Sequence, residues 1–181
     1  MIQLFRKLNN NYIIDNYKVL DRQISFGETV KGKFYGIEYS HIDIKTNFID
    51  SIIPKEYQKY FFMTIMKINR EIPPHTDSGI KTAINFYIKT DDCLTQFYKF
   101  VTDKPKTKQV ENQTNGHIYD VKDLDRVASF MAQPNEGWVL NVTKPHAVIP
   151  QFNFKERLAV ALSTELEYDV VCDLLKDKGH L

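Results

Sequence analysis

The 181-residue chain carries 24 Lys and Arg against 23 Asp and Glu, a net charge of +1, with 43% hydrophobic and 13% aromatic residues. That length fits one domain, and the apolar content supports a packed core rather than disorder. Near-neutral charge argues against a general nucleic-acid coat or an acidic tail, and no apolar run approaches the roughly 20 residues that span a bilayer.

The N-terminus, MIQLFRKLNNNY, lacks the apolar stretch and small-residue cleavage site of a signal peptide. Cys93 and Cys172 stand far apart in no metal or disulfide spacing. The expectation is a cytoplasmic protein with reduced, packed thiols.

In chain order, KFYGIEYSHIDI (33–44) has the period-two alternation of a strand. DSIIPKEYQKY (50–60) predicts a short helix starting near Pro54, since proline is tolerated in a first turn. FFMTIMKI (61–68), KTAINFYI (81–88), LTQFYKFV (94–101), GWVLNV (137–142) and RLAVALS (157–163) are β-branched and aromatic and read as strands. Turn signals such as EIPP, KTDD, TDKPK and QPNEG separate them. The polar stretch 102–117 reads as a mobile surface excursion, an ordinary loop between strands. ELEYDVVCDLLKDKG then has helical spacing and a glycine stop, giving a C-terminal helix over roughly 165–178. The sum is a mainly β fold in one domain, 1–181, with a core over roughly 60–165 and helices at its flanks. Many short strands at this size indicate a sandwich, jelly roll or barrel.

The chemistry concentrates in a few side chains. In IPPHTDSG, His75 and Asp77 are two apart, so on an extended backbone they point the same way. His146, at the end of the apolar run GWVLNVTKPH, is the best candidate for a third ligand. Two imidazoles and a carboxylate would hold a first-row divalent ion and leave coordination positions open. Arg157, in the next strand-like run, would suit the far carboxylate of a small diacid.

These residues, His75-x-Asp77, His146 and Arg157, resemble the HxD…H…R signature of Fe(II)- and 2-oxoglutarate-dependent oxygenases. Pro74 to Asp77 is similar to that family's first ligand strand and Gly137 to Pro150 to its second, and the likeness covers roughly residues 45–165. It implies a double-stranded β-helix, or jelly roll, with iron held by His75, Asp77 and His146 at its open end. It also implies 2-oxoglutarate chelating the iron with its far carboxylate on Arg157, and dioxygen as co-substrate. The implied reaction couples oxidative decarboxylation to hydroxylation of a C–H bond. Ala159 stands where many members carry a hydroxyl two places after the arginine, so another donor is needed. Tyr87, Tyr98 and Asn85 are the candidates. Arg157 also departs from the lysine of collagen-type prolyl hydroxylases.

The expected substrate is a small molecule or a peptide or protein, by preference an amino-acid side chain; neither a membrane nor a long nucleic acid is expected. A metalloenzyme of cupin type without 2-oxoglutarate, and a non-enzymatic jelly-roll binding or structural protein, are the alternatives. His41 reads as a polar-face residue, His117 as solvated in the excursion or a rival to His146, and His180 as tail. Trp138 reads as core or substrate wall, and Asp120, Asp123 and Asp125 as a solvated face.

Overall fold

The computed structural model describes residues 3–26, 37–44, 48–110 and 116–181. Its strands are β1 (Phe5–Asn11), β2 (Lys18–Phe26), β3 (Ile37–Asp43), β4 (Phe61–Ile68), β5 (Ile72–Asp77), β6 (Thr82–Lys89), β7 (Cys93–Phe100), β8 (Thr107–Val110), β9 (Gly116–Tyr119), β10 (Leu124–Met131), β11 (Glu136–Asn141), β12 (His146–Pro150) and β13 (Arg157–Thr164). The described residues also form two α-helices, α1 (Phe48–Ile52) and α2 (Tyr168–Asp177), and two single 3-10 turns, Gln58–Tyr60 and Val121–Asp123.

The strands form two antiparallel sheets. The larger runs β1-β11-β6-β13-β4-β3-β2 and the smaller β10-β7-β12-β5-β9-β8. From β4 to β7 the chain passes alternately from one sheet to the other, and it does so again from β11 to β13. That winding is a double-stranded β-helix, the jelly roll expected from the sequence. It leaves a space between two sheets lined by alternate residues of each strand.

Both faces of the larger sheet are buried. Ile84, Phe86, Val160 and Leu162 on one face join Ile52 at the end of α1, Ile53 just after it, and Val171 and Leu175 of α2 in one apolar cluster. Ala83, Tyr87, Ala159 and Met66 on the other face join Phe97 and Val148 of the smaller sheet in the inter-sheet core. Continuously buried runs such as TAINFY in β6 and AVALST in β13 follow from this double coverage.

α2 ends in a Schellman motif: His180 N donates to Leu175 O at 2.8 Å and Gly179 N to Lys176 O at 2.8 Å. Gly179 has φ +78°, where a side chain would be strained. Gly137 meets a different constraint, because a Cβ there would lie 2.8 Å from Tyr12 Cε2 and 2.9 Å from Leu8 Cδ1.

Several expectations are corrected. α1 precedes Pro54 rather than starting on it, because proline disfavours helical geometry in the residue before it. The excursion 102–117 contains β8 and the start of β9. β1 and β2 arise from sequence with no clean alternation. Residues 33–36 of the expected strand at 33–44 lie outside the described residues. Among those residues, no helix is long and apolar enough to cross a membrane.

Candidate active site

β5 ends in His75-Thr76-Asp77, and its extended backbone turns His75 and Asp77 to the inter-sheet side. His75 Nε2 lies 3.6 Å from Asp77 Oδ1. β12 runs antiparallel beside β5 and places His146 opposite His75, with ring centroids 4.3 Å apart. The pairing slips between His146 and Val148, a bulge of the kind that re-aims side chains beside functional sites. One ligand atom from each of His75, Asp77 and His146 lies within 4.8 Å of the others, a spacing that can hold a metal ion.

The two imidazoles are set for coordination. Nδ1 of His75 donates to the carbonyl of Pro73 at 2.8 Å, and Nδ1 of His146 to that of Lys144 at 3.0 Å. That arrangement assigns the proton to Nδ1 and presents Nε2 as a lone-pair donor. Burial, followed by the neighbouring His146, pushes His75 down to about 4; burial, with a smaller contribution from Arg157, does the same for His146. Both rings are therefore neutral at physiological pH. Burial raises the Asp77 carboxyl above its ordinary value, and His75 opposes that shift.

Arg157 opens β13 on the opposite sheet and is 2% exposed. Its Nη1 donates to Thr95 Oγ1 at 2.8 Å, and its Nη2 donates to the hydroxyl of Tyr87. The guanidinium carbon sits 4.5 Å from the centre of the Tyr87 ring. Nε is buried without a hydrogen-bond partner, and no carboxylate of the described residues pairs with this cation. A buried cation lacking a counter-charge is costly unless an anion completes it.

One cavity of about 270 Å³ holds His75, Asp77, His146 and Arg157 together. Its remaining walls are mainly apolar, including Ile37, Met66, Leu140 and Val148. Asn85 lines it too, with Nδ2 3.5 Å from the Tyr87 hydroxyl. Tyr98 does not join this group. It faces the other side of β7, packed with Leu124 and Ala147, because its parity is opposite to that of Thr95 and Phe97.

The other histidines divide. His41 lines the cavity rather than a polar face, its ring 6.3 Å from that of Phe62. His117 pairs in register with Thr76, on the side of β5 away from the ligands, so it is no rival to His146. His180 is buried, not a loose tail: Nε2 donates to Ser51 O at 2.8 Å, and Nδ1 lies 2.6 Å from the hydroxyl of Tyr12. Trp138 stacks on Phe130 at 3.9 Å and donates to Glu136, outside the cavity wall.

Sequence reasoning missed Thr95, which holds Arg157, and Tyr39, which lines the cavity from β3. Burial and then Asp77 raise the Tyr39 phenol above its ordinary value, while Arg157 opposes them. Thr95 shares parity with Phe97 in the strand read as LTQFYKFV, so the alternation carried that signal.

No protein-family model and no curated protein matches the sequence. Solved structures similar to the chain include vicilin from Corylus avellana (hazelnut), at 12% identity over 71% of this chain with a TM-score of 0.40. A variant of Bacillus subtilis oxalate decarboxylase is 10% identical over 78% of it, with a TM-score of 0.36. Cellulomonas parahominis L-ribose isomerase is 15% identical over 78% of it, with a TM-score of 0.37. The chain spans 28% of the vicilin, 33% of the decarboxylase and 70% of the isomerase.

Proposed function

We propose that this chain is an Fe(II)- and 2-oxoglutarate-dependent oxygenase that hydroxylates a C–H bond of an amino-acid or peptidyl side chain. The observation that carries the reading is Arg157, a buried cation with an unpartnered Nε, in the same cavity as two imidazoles and a carboxylate. The residues fit both groups. Two nitrogen donors and one oxygen donor suit Fe(II) and leave open positions, and an unpaired guanidinium suits the far carboxylate of a diacid.

His75, Asp77 and His146 hold the metal, with the Pro73 and Lys144 carbonyls fixing the imidazole orientations. Arg157 binds the diacid at its metal-distal end, and Thr95 and Tyr87 fix the plane of the guanidinium. Asn85, on β6 with Tyr87, lines the same cavity, its Nδ2 3.5 Å from the Tyr87 hydroxyl. The apolar walls exclude water and strengthen each of these interactions. When bound, Fe(II) and 2-oxoglutarate supply dioxygen activation, yielding succinate, carbon dioxide and a hydroxylated product. The buried thiols of Cys93 and Cys172 favour a reducing, cytoplasmic setting.

The test is an anaerobic titration of the protein with Fe(II) and 2-oxoglutarate, followed by exposure to oxygen. A weak visible charge-transfer band and succinate release are expected. A folded, iron-loaded protein that shows neither overturns the reading and leaves a metalloenzyme acting without 2-oxoglutarate.

A further inference from the structure

We infer that the group oxidised here is an uncharged amino-acid side chain bearing a hydrogen-bonding atom, seated over Ala161 between Asn85 and Thr64. The inference rests on the oxygenase reading and names the substrate of that same site. Register across the larger sheet puts four cavity-lining residues in one transverse row: His41 opposite Thr64, Thr64 opposite Ala161, and Ala161 opposite Asn85. One row nearer Arg157 lie Tyr39, Met66, Ala159 and Tyr87, and the last row holds Ile37, Ile68 and Arg157 itself. On the other side, Phe62 and Ser163 form the next row, and Phe62 is 41% exposed, which marks the mouth.

The Ala161 row thus lies between the mouth and the arginine. Strands stand about 4.8 Å apart, so Asn85 and Thr64 are about 10 Å apart across a methyl group, which leaves a trough between two polar side chains. Thr64 is 3% exposed, yet its Oγ1 has no hydrogen-bond partner among the protein atoms described. A buried hydroxyl left unsatisfied costs stability, and a substrate atom that pairs with it restores the loss. Asn85, 6% exposed, offers a carboxamide on the other flank.

Charge narrows the class. Apart from imidazoles, the charged residues lining the cavity among those described are Asp77 and Arg157, both already engaged by metal and diacid. An ammonium, guanidinium or carboxylate entering beside them would lose its hydration without gaining a counter-ion. Size narrows it further. At about 270 Å³ the cavity lies just below the usual range of ligand sites, so a diacid inside it leaves space for a small group only. In the reaction one atom of dioxygen enters the substrate C–H bond and the other enters succinate, as 2-oxoglutarate loses carbon dioxide.

The experiment offers wild type, Thr64→Ser and Thr64→Val Fe(II), 2-oxoglutarate, air and the twenty amino acids, each free and as its N-acetyl N′-methylamide. Mass spectrometry reads the gain of one oxygen, and succinate is measured in parallel. Products are expected only from uncharged hydrogen-bonding side chains, with the free and capped arms identifying the source. Thr64→Val should lower kcat/KM by about tenfold while Thr64→Ser retains it. Without ligands, Thr64→Val should raise Tm by about 2–4 °C by removing an unpaired buried hydroxyl. Oxidation of Lys, Arg, Asp or Glu overturns the inference. So does succinate formation with no oxidised member, a Thr64→Val enzyme equal to wild type, or a lowered Tm. Absence of succinate in every reaction overturns the oxygenase reading itself, and this inference with it.

Discussion

His146 faces His75 across the β12–β5 pair, and the rings stand 4.3 Å apart at 49°. Two neutral imidazoles held this close, each fixed through Nδ1, form a preorganised pair of nitrogen donors. Replacing either with alanine should weaken Mn(II) or Fe(II) binding by more than the about 10–100-fold typical of losing a ligand's hydrogen-bond partner. Calorimetric titration of His75→Ala and His146→Ala checks this, with His117→Ala expected to bind as wild type does.

The same burial gives the metal-free protein an acid sensitivity. Both histidines are pushed down to about 4 from the ordinary 6.5. As pH falls from 6.5 toward 4, the unfolded chain takes up protons that the folded rings refuse, so stability falls through that window. The loss is on the order of 3 kcal/mol per histidine at most. Asp77, whose carboxyl is raised, acts in the opposite direction. Urea unfolding from pH 7 to 4 should show this slope, and His75→Gln/His146→Gln should flatten it.

Arg157 should divide co-substrate binding from metal binding. Arg157→Ala is expected to lower 2-oxoglutarate affinity by roughly 2–5 kcal/mol, as when one member of a buried charge pair is removed. Metal affinity should survive, since no ligand atom belongs to β13. If metal binding is lost and 2-oxoglutarate affinity is unchanged, the roles are misassigned.

His180 ties the C-terminus to Tyr12 and to the carbonyl of Ser51 at the end of α1. His180→Ala would leave the buried Tyr12 hydroxyl short of a partner and should cost about 1–3 kcal/mol in chemical denaturation. It lies outside the cavity, so metal affinity should not change.

Gly137 supplies a packing test on β11. Gly137→Ala drives a methyl against Tyr12 and Leu8 and should destabilise by about 1–3 kcal/mol, read as a lowered urea midpoint.

The legible parts of this chain were those whose signal is local. FFMTIMKI matches β4 residue for residue, and β6, β7, β11 and β13 fall within a residue of their expected bounds, because β-branched and aromatic runs between turn residues have few other solutions. His75, Asp77, His146 and Arg157 were found, and the cavity brings them together. Parity was harder to read. Apolar residues on both faces of the larger sheet conceal which face is inward, so Ile37, Tyr39 and His41 could not be told from their neighbours. β1 escaped because, within FRKLNNN, Leu8 is the one fully buried residue. His180 escaped because its partners lie 129 and 168 positions away, a separation no local pattern reports.

All three candidate metal ligands hang from the smaller sheet, whereas the guanidinium is carried by the larger one and reaches back to Thr95 on the smaller. The gap between the layers is therefore a gauge. A molecule gripping both ends must match it in length, and a mutation that thickens the interlayer packing would shift which diacid fits without altering any residue that touches it.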